Sequence, residues 1–219
     1  LYIPVGVPCN ICLEPQTNDN RFAAIHKYKD GELITVADGV RNSVGFDWHP
    51  ITKKLYFSDN GRDWLGDDSP ACELNLVNEE GSFYGYPYKH AKDVIDPEFG
   101  YMIPSVDKEF VDPIAELGAH VAPLGIAFYD GKEFPEKYHN SVFIALHGSW
   151  NRTKKSGYKV ILVKLDDNGN YQYQEDFITG WLSNETAWGR PAAPFVMSDG
   201  SLLVSDDKHN VIYKVQYKG

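Results

Sequence analysis

Apolar and polar positions alternate with a period of two along most of the chain, and in three places the alternation builds the same unit. Each unit is an apolar strand, a turn, a second apolar strand and then a cluster of polar residues. The copies are GFDWHPITKKLYFSDNG from Gly45, GIAFYDGKEFPEKYHNSVFIALHG from Gly125 and PFVMSDGSLLVSDD from Pro194. In the first strand of each, Phe46/Trp48, Ile126/Phe128 and Phe195/Met197 stand two apart, which puts them on one face of a sheet. The pattern predicts strands over residues 1–5, 22–28, 33–37, 44–48, 54–58, 73–77, 124–129, 141–146, 158–165, 171–178, 194–198, 202–205 and 211–217. Turn pairs separate them, among them Asp30-Gly31, Asp130-Gly131, Asn168-Gly169 and Asp199-Gly200, whose Gly accepts positive φ. No segment carries the period of an amphipathic helix.

The fold class that follows is all-β, with four-stranded antiparallel sheets repeated as the blades of a β-propeller, here a partial propeller of about four blades. Residues 1–40 read as an incomplete blade, 41–93 as a blade, 94–118 as a long irregular loop, 119–185 as a blade and 186–219 as C-terminal blade strands, all in one domain. The first strand, LYIPVG, aligns by its Gly with the second strand of the other units, so the inner strand of that blade is missing from the pattern. The units are spaced more widely than the roughly 40 to 50 residues of common propeller repeats, which calls for insertions. A β-sandwich would explain the hairpins equally well, but not the repeated position of the polar clusters.

Composition narrows the function classes. With 42% apolar and 14% aromatic residues the chain can fill a core. Its net charge of -10 disfavours nucleic acid and leaves small molecules, cations or a basic partner. No apolar run is long enough to span a bilayer, and no signal peptide precedes Leu1; the absence of an initiator Met is expected to reflect removal of an upstream part. Cys9 and Cys12 form a CxxC without the His of haem attachment or the second CxxC of a zinc site, leaving a local disulfide or two thiols. Cys72 has no sequence partner. Asn151-Arg152-Thr153 and Asn184-Glu185-Thr186 are sequons of meaning only in a eukaryotic secretory pathway.

In antiparallel blades the loops leading into first strands and those leaving second strands open on one rim. Those loops carry Arg41, Asn42, Asn60, Gly61, Arg62, His120, His147, Arg152 and Arg190. Arg presents a two-point fork to carboxylates and Gly admits close backbone approach, so the rim suits an anionic, planar or polyhydroxylated ligand. The acidic run from Asp63 to Glu73 offers oxygen ligands of the kind Ca²⁺ takes, or is a solvated turn; its spacing is not that of an EF-hand. No nucleophile elbow surrounds Ser149, which argues against serine hydrolysis.

The motifs GVRNSVGFDWHP, SDNGRDWLGDD with ELN, GSFYGYPY, HVAPLGIAFY, HGSWNR with GYKV, and GRPAAPFVMSDGSLLVSDD together resemble the soluble pyrroloquinoline-quinone-dependent aldose sugar and sorbosone dehydrogenases, six-bladed propellers. The chain resembles roughly the C-terminal two thirds of that family. The resemblance implies PQQ and Ca²⁺ as cofactors and oxidation of an aldose at its anomeric hydroxyl by hydride transfer to the quinone. It implies an artificial or cytochrome electron acceptor and a periplasmic or secreted location. It places Arg41 and Asn42 at quinone and sugar, Asn60 at the cofactor, the carbonyls of Gly61 and Arg62 on a catalytic Ca²⁺, Arg152 and Arg190 on the quinone carboxylates, and Glu73 near a structural Ca²⁺. The chain departs from the family in three ways. The family's general-base His lies upstream of LYIPVG, Cys72 stands where relatives often have Asp, and Ala192 replaces a second basic residue. An N-terminal segment or a partner chain is expected to complete the propeller. Two other readings compete: a non-catalytic propeller that binds a carbohydrate or protein, and a calcium-dependent lactonase.

Overall fold

The computed structural model describes residues 1–13 and 21–219, so residues 14–20 of the expected 1–40 unit lie outside the described residues. Four sheets follow one another along the chain. The first holds β1 (Tyr2–Val5), β2 (Ala24–Lys29) and β3 (Glu32–Asp38), extended by β7 (Ser82–Phe83) parallel to β3. The second holds β4 (Phe46–Trp48), β5 (Leu55–Asp59), β6 (Ala71–Leu76) and β10 (Ala115–Ala119). The third is β11 (Pro123–Phe128), β12 (Ser141–Leu146), β13 (Lys159–Leu165) and β14 (Tyr171–Ile178); the fourth is β17 (Pro191–Val196), β18 (Leu202–Asp206) and β19 (Val211–Val215). Two short ladders, β8 (Lys89–His90) with β9 (Val94–Ile95) and β15 (Leu182–Ser183) with β16 (Thr186–Ala187), fill the connections. The helical segments among the described residues are the 3-10 turns Gly100–Ser105 and Glu136–Tyr138.

The sheets stack face to face in chain order, with a core between each successive pair. Ile25 and Val36 of the first sheet meet Leu55 and Phe57 of the second. Tyr56 and Leu74, on the opposite face of the second, meet Val142, Ile144 and Ile161 of the third. Phe143, Val160 and Leu162 then meet Leu202 and Val204 of the fourth. A strand buried on both faces has no polar side to show, which is why SVFIAL reads as a continuous apolar run while its alternate residues serve different cores.

Two glycines set how closely the first strands of neighbouring sheets approach. A Cβ on Gly45 would lie 2.1 Å from the Leu124 carbonyl oxygen and 2.8 Å from the Ile126 nitrogen. One on Gly125 would lie 2.7 Å from both Cα and Cβ of Ala193. Across the first contact, the Phe128 N–H donates to Asp47 Oδ2 at 2.8 Å, and Ser58 Oγ donates to the Leu124 carbonyl at 2.9 Å. These are the same glycines that open the first two copies of the sequence unit.

The structure corrects the expected segment boundaries in two places. The irregular stretch 94–118 ends in β10, whose Ala115 and Leu117 are buried against β6 while Glu116 faces out. That alternation is short and interrupted by a register shift between Glu116 and Gly118, which hides it in the sequence. The unit 41–93 also surrenders β7 to the first sheet, so the fourth strand of the second sheet arrives only after the long connection. The fourth sheet has three strands rather than four among the described residues.

Gly125→Ala is expected to lower unfolding free energy by about 1–3 kcal/mol, the usual cost of overpacking. Gly45→Ala should cost more, because the nearest obstacle there is a backbone oxygen. Denaturant unfolding measures both; variants as stable as the parent would show that the strands do not need this approach.

Candidate functional site

Hydrogen bonds between loops bring the polar clusters to one rim. The Val7 N–H after β1 donates to the Arg41 carbonyl ahead of β4 at 3.0 Å. Asn60 Nδ2 after β5 donates to the Pro123 carbonyl that opens β11 at 3.0 Å. Arg190 Nε ahead of β17 donates to the His147 carbonyl after β12 at 3.0 Å. In each case the exit of a second strand is tied to the approach of the next sheet's first strand. The first sheet obeys the rule only if β1 counts as a second strand, as its terminal Gly implies.

Between the second and third sheets the rim holds a pocket of about 250 Å³ lined by Arg41, Asn42, Asn60, Gly61, Asp63 and His120, with Cys72, Ala122 and Trp150 completing the wall. Arg41 is held on several sides: Nε donates to the Asn10 carbonyl at 2.9 Å, Nη2 to Asn10 Oδ1 at 3.0 Å and Nη1 to the Asn60 carbonyl at 3.0 Å. Among the described residues three of the five guanidinium N–H groups are thereby occupied, which leaves two to meet a ligand. Asn10 stands inside the CxxC, closed as a Cys9–Cys12 disulfide, and also bonds the backbone of Asp63 through Oδ1 and Nδ2 at 2.8 and 3.1 Å. Tyr86 hydroxyl accepts the Cys12 N–H at 2.9 Å and anchors that turn.

The buried Asp59 fixes the backbone from below. Its oxygens accept the Arg41 N–H at 2.8 Å and the Asn42 N–H at 2.6 Å. Across the β5–β6 pairing lies Glu73, buried, accepting from Ala91 N–H at 2.7 Å and Asn75 Nδ2 at 2.9 Å. Burial pushes Glu73 up to about 8, with the charge of Asp59 acting in the same sense, and burial raises Asp59 to about 6 against its N–H bonds. The buried Cys72 thiol is pushed up to about 11 by the same desolvation, so it is a neutral wall at neutral pH.

Arg62 points its side chain away from the pocket. Its guanidinium is buried, donating to Asp96 at 2.5 Å and to Glu98 at 3.0 Å. His90 joins Asp96 at 2.9 Å, and these bonds, with N–H donors from Phe99 and Glu98, hold the Asp96 carboxyl well below the usual range although burial opposes them. The cluster fastens the long connection beneath the rim.

Arg41, Asn42, Asn60 and Gly61 therefore meet in one pocket as the sequence predicts. Arg152 and Arg190 do not line it. Arg152 braces the acidic loop, with Nε on the Asp67 carbonyl at 2.9 Å and Nη2 on Asp68 at 2.5 Å. Arg190 lies in an adjoining groove of about 630 Å³ with Tyr158, Lys155 and a His147–Asp207 pair at 2.8 Å. Its guanidinium is bound to the carbonyls of His147 and Gly148.

The donor set of the pocket suits an anionic ligand and a hard cation. A carboxylate would find the two unspent Arg41 N–H groups beside the Asn42 and Asn60 amides, and a hard cation would find the oxygen-rich backbone around Gly61. Among the described residues no cluster of three or more His, Cys, Asp or Glu is placed to hold a metal, so such a cation would rest on carbonyls rather than a carboxylate cage. The sequence pattern misses Asn10, and puts Asp59 on the rim loop with Asn60 and Gly61 without giving it a role. A CxxC read only for its sulfurs gives no hint of the residue between them, whereas the Asp ending an apolar strand beside Asn-Gly could have signalled the second.

Residues 105–218 match the TrAA12-like family. A protein of Borreliella burgdorferi described as uncharacterized is 42% identical over the whole chain, which covers 57% of that relative. A pyrroloquinoline quinone-dependent pyranose dehydrogenase of Coprinopsis cinerea is 42% identical over 53 residues, 24% of this chain and 6% of that protein. Among solved structures, the calcium structure of Trichoderma reesei Carbohydrate-Active Enzymes Family AA12 superposes with TM-score 0.81 at 21% identity, over 99% of this chain and 65% of that one. The holo form of the Pyranose Dehydrogenase PQQ domain from Coprinopsis cinerea gives 0.77 at 20% identity over 99% and 66%. The fold is shared with these proteins, and the chain spans a little over half to two thirds of the length of each one it matches throughout.

The buried carboxylates predict a pH dependence. An acid whose folded value lies above its ordinary one favours the protonated fold, so stability present below about pH 4.5 should fall as pH rises toward 8. Asn75 Oδ1 is buried without a partner, and a turned Asn75 amide would accept the proton of neutral Glu73. Glu73→Gln should flatten the fall in melting temperature between pH 5 and 8, and an unchanged slope would remove Glu73 as its source.

Proposed function

The chain belongs to the TrAA12-like family, and on that premise we propose that it forms the ligand site of a quinone-dependent sugar oxidoreductase. The observation that carries the reading is Arg41, a guanidinium held by Asn10 and Asn60 at the pocket wall with two N–H groups unspent. The finer reading takes the quinone as PQQ, the cation as Ca²⁺ and the substrate as an aldose oxidised at its anomeric hydroxyl. A bound ortho-quinone polarised by Ca²⁺ supplies the hydride acceptor.

The chain's own residues bind and orient. Arg41 meets a carboxylate with a charge-assisted pair, while the Asn42 amide lies beside it and Asn60, whose Nδ2 is spent on the Asn42 and Pro123 carbonyls, offers only its Oδ1 as an acceptor. Gly61 lets the ligand approach backbone that Asp59 and Asn60 hold still, and in this proposal the carbonyls of Gly61 and Arg62 hold the cation. Arg190 and Arg152 reach the same ligand only from the adjoining groove and the braced acidic loop. Glu73 stays a candidate for a second Ca²⁺, which would take over from the proton there.

The proton acceptor is not supplied by the two rim histidines. His120, at the pocket wall, donates through Nε2 to the Gly66 carbonyl at 2.8 Å and turns Nδ1 toward the Asp63 carboxylate at 3.5 Å, and the proposal gives it no catalytic role. His147 is paired with Asp207 in the other groove. The base is proposed to come from outside these residues, and without a positioned base turnover falls by about 10² to 10⁴-fold.

Titration of the chain with PQQ in the presence of Ca²⁺ should give saturable binding, and Arg41→Ala should weaken it about 10- to 100-fold, the worth of a charge-assisted bond. Supplied with a segment that carries the base, the chain should then reduce a dye with an aldose. Absence of quinone binding in both forms would overturn the reading, and lactone hydrolysis without quinone would favour the lactonase instead.

A further inference from the structure

Two large apolar side chains stand in solvent at the mouth of the pocket. Trp64 is 66% exposed and Trp150 is 69% exposed, and their rings meet edge to face at 5.8 Å with an interplanar angle of 83°. Leaving an indole in water forgoes the burial that its apolar area favours, so an exposed pair on fixed backbone asks for a reason.

The backbone is fixed. On one side of Trp64, Asp63 is bonded through N–H and carbonyl to Asn10. On the other, the Gly66 carbonyl accepts from His120, the Asp67 carbonyl accepts from Arg152 Nε, and Asp67 Oδ1 accepts the Thr153 N–H at 3.1 Å. Arg152 thus staples the loop carrying Trp64 to the loop carrying Trp150. Trp64 itself is held at φ 72°, a left-handed conformation that a bulky residue adopts only when its surroundings impose it.

We propose that Trp64 and Trp150 form an outer carbohydrate platform, a corner of two indoles that takes the sugar ring next to the one in the pocket. The proposal rests on the sugar reading of that pocket and extends its substrate class from monosaccharides to neutral oligosaccharides. Trp150 lines the pocket and continues onto the platform, so the two surfaces are contiguous. At about 250 Å³ the pocket lies below the ~300–1,000 Å³ of usual small-molecule sites, so with a quinone against Arg41 only the reacting end of a sugar chain fits and the rest must run out over its edge. Pyranose rings offer the apolar C–H face that an indole covers, with hydroxyls left at the ring edge for Asp63 and Asn42.

Cellohexaose and glucose, titrated separately into the quinone-free chain while tryptophan emission is followed, test the platform. Cellohexaose should bind at least tenfold more tightly than glucose; Trp64→Ala and Trp150→Ala should each lose about tenfold for cellohexaose, and Trp150→Phe should lose less. Both side chains are exposed, so an unchanged far-UV spectrum and melting point confirm folding. Equal affinity for the two sugars, or unaltered cellohexaose affinity in Trp64→Ala, overturns the platform. So does a change in self-association in place of a change in sugar affinity. Quinone binding that Trp64→Ala leaves intact, without preference for cellohexaose, sinks the platform alone; cellohexaose binding without quinone binding sinks the redox reading alone.

Discussion

Everything on the rim depends on how closely the first strands of neighbouring sheets can come together. At Gly45 and Gly125 the next strand occupies the volume a side chain would need, and the sheets close on each other at those two points. The closeness lets Asn60 reach Pro123, Arg190 reach His147 and Asp47 reach Phe128. Wider spacing would leave the same polar residues on separate loops. A packing requirement in the core therefore sets the geometry of a surface site, because close-packed interiors transmit displacement rather than absorb it.

The pocket is organised before any ligand arrives. Arg41 is bound by Asn10 and Asn60, its backbone by Asp59, and the neighbouring loop by the buried Arg62–Asp96 pair. Groups whose orientation is already fixed lose little freedom on binding, which is where preorganised sites gain affinity. The arrangement has a cost in stability: Asp59 and Glu73 share a buried region, and desolvation raises both carboxyls above their ordinary values. Such carboxylates are poor stabilisers, and their persistence beneath the pocket is consistent with a structure shaped for its ligand.

Much of the fold was legible in the alternating pattern. The strands of the third sheet are legible almost to the residue because turn pairs separate them and β11, β12 and β13 carry apolar runs, while β14 begins by alternating Tyr with Gln. β10 was not, since Glu116 and a register shift at Gly118 break its alternation. β7 was hidden because a two-residue strand has no period to detect. In the site, the rule that loops of antiparallel blades share a rim puts Arg41, Asn42, Asn60 and Gly61 on one rim, and in the structure they line one pocket. The rule gives a rim and no angles around it, so it could not separate Arg190 into the adjoining groove. Nor could it see that Arg152 spends its guanidinium on the acidic loop. Asn10 escaped because its contacts span 31 and 53 positions of sequence, and no local pattern records such a contact.

In the proposed function an anionic quinone docks in the Arg41 pocket and not in the Arg190 groove. A crystal of the chain soaked with PQQ and Ca²⁺ tests it most directly. The account predicts ligand density with a carboxylate on the Arg41 guanidinium and the cation against the backbone of Gly61. Density confined to the groove beside Arg190, with the Arg41 pocket left to solvent, would contradict it.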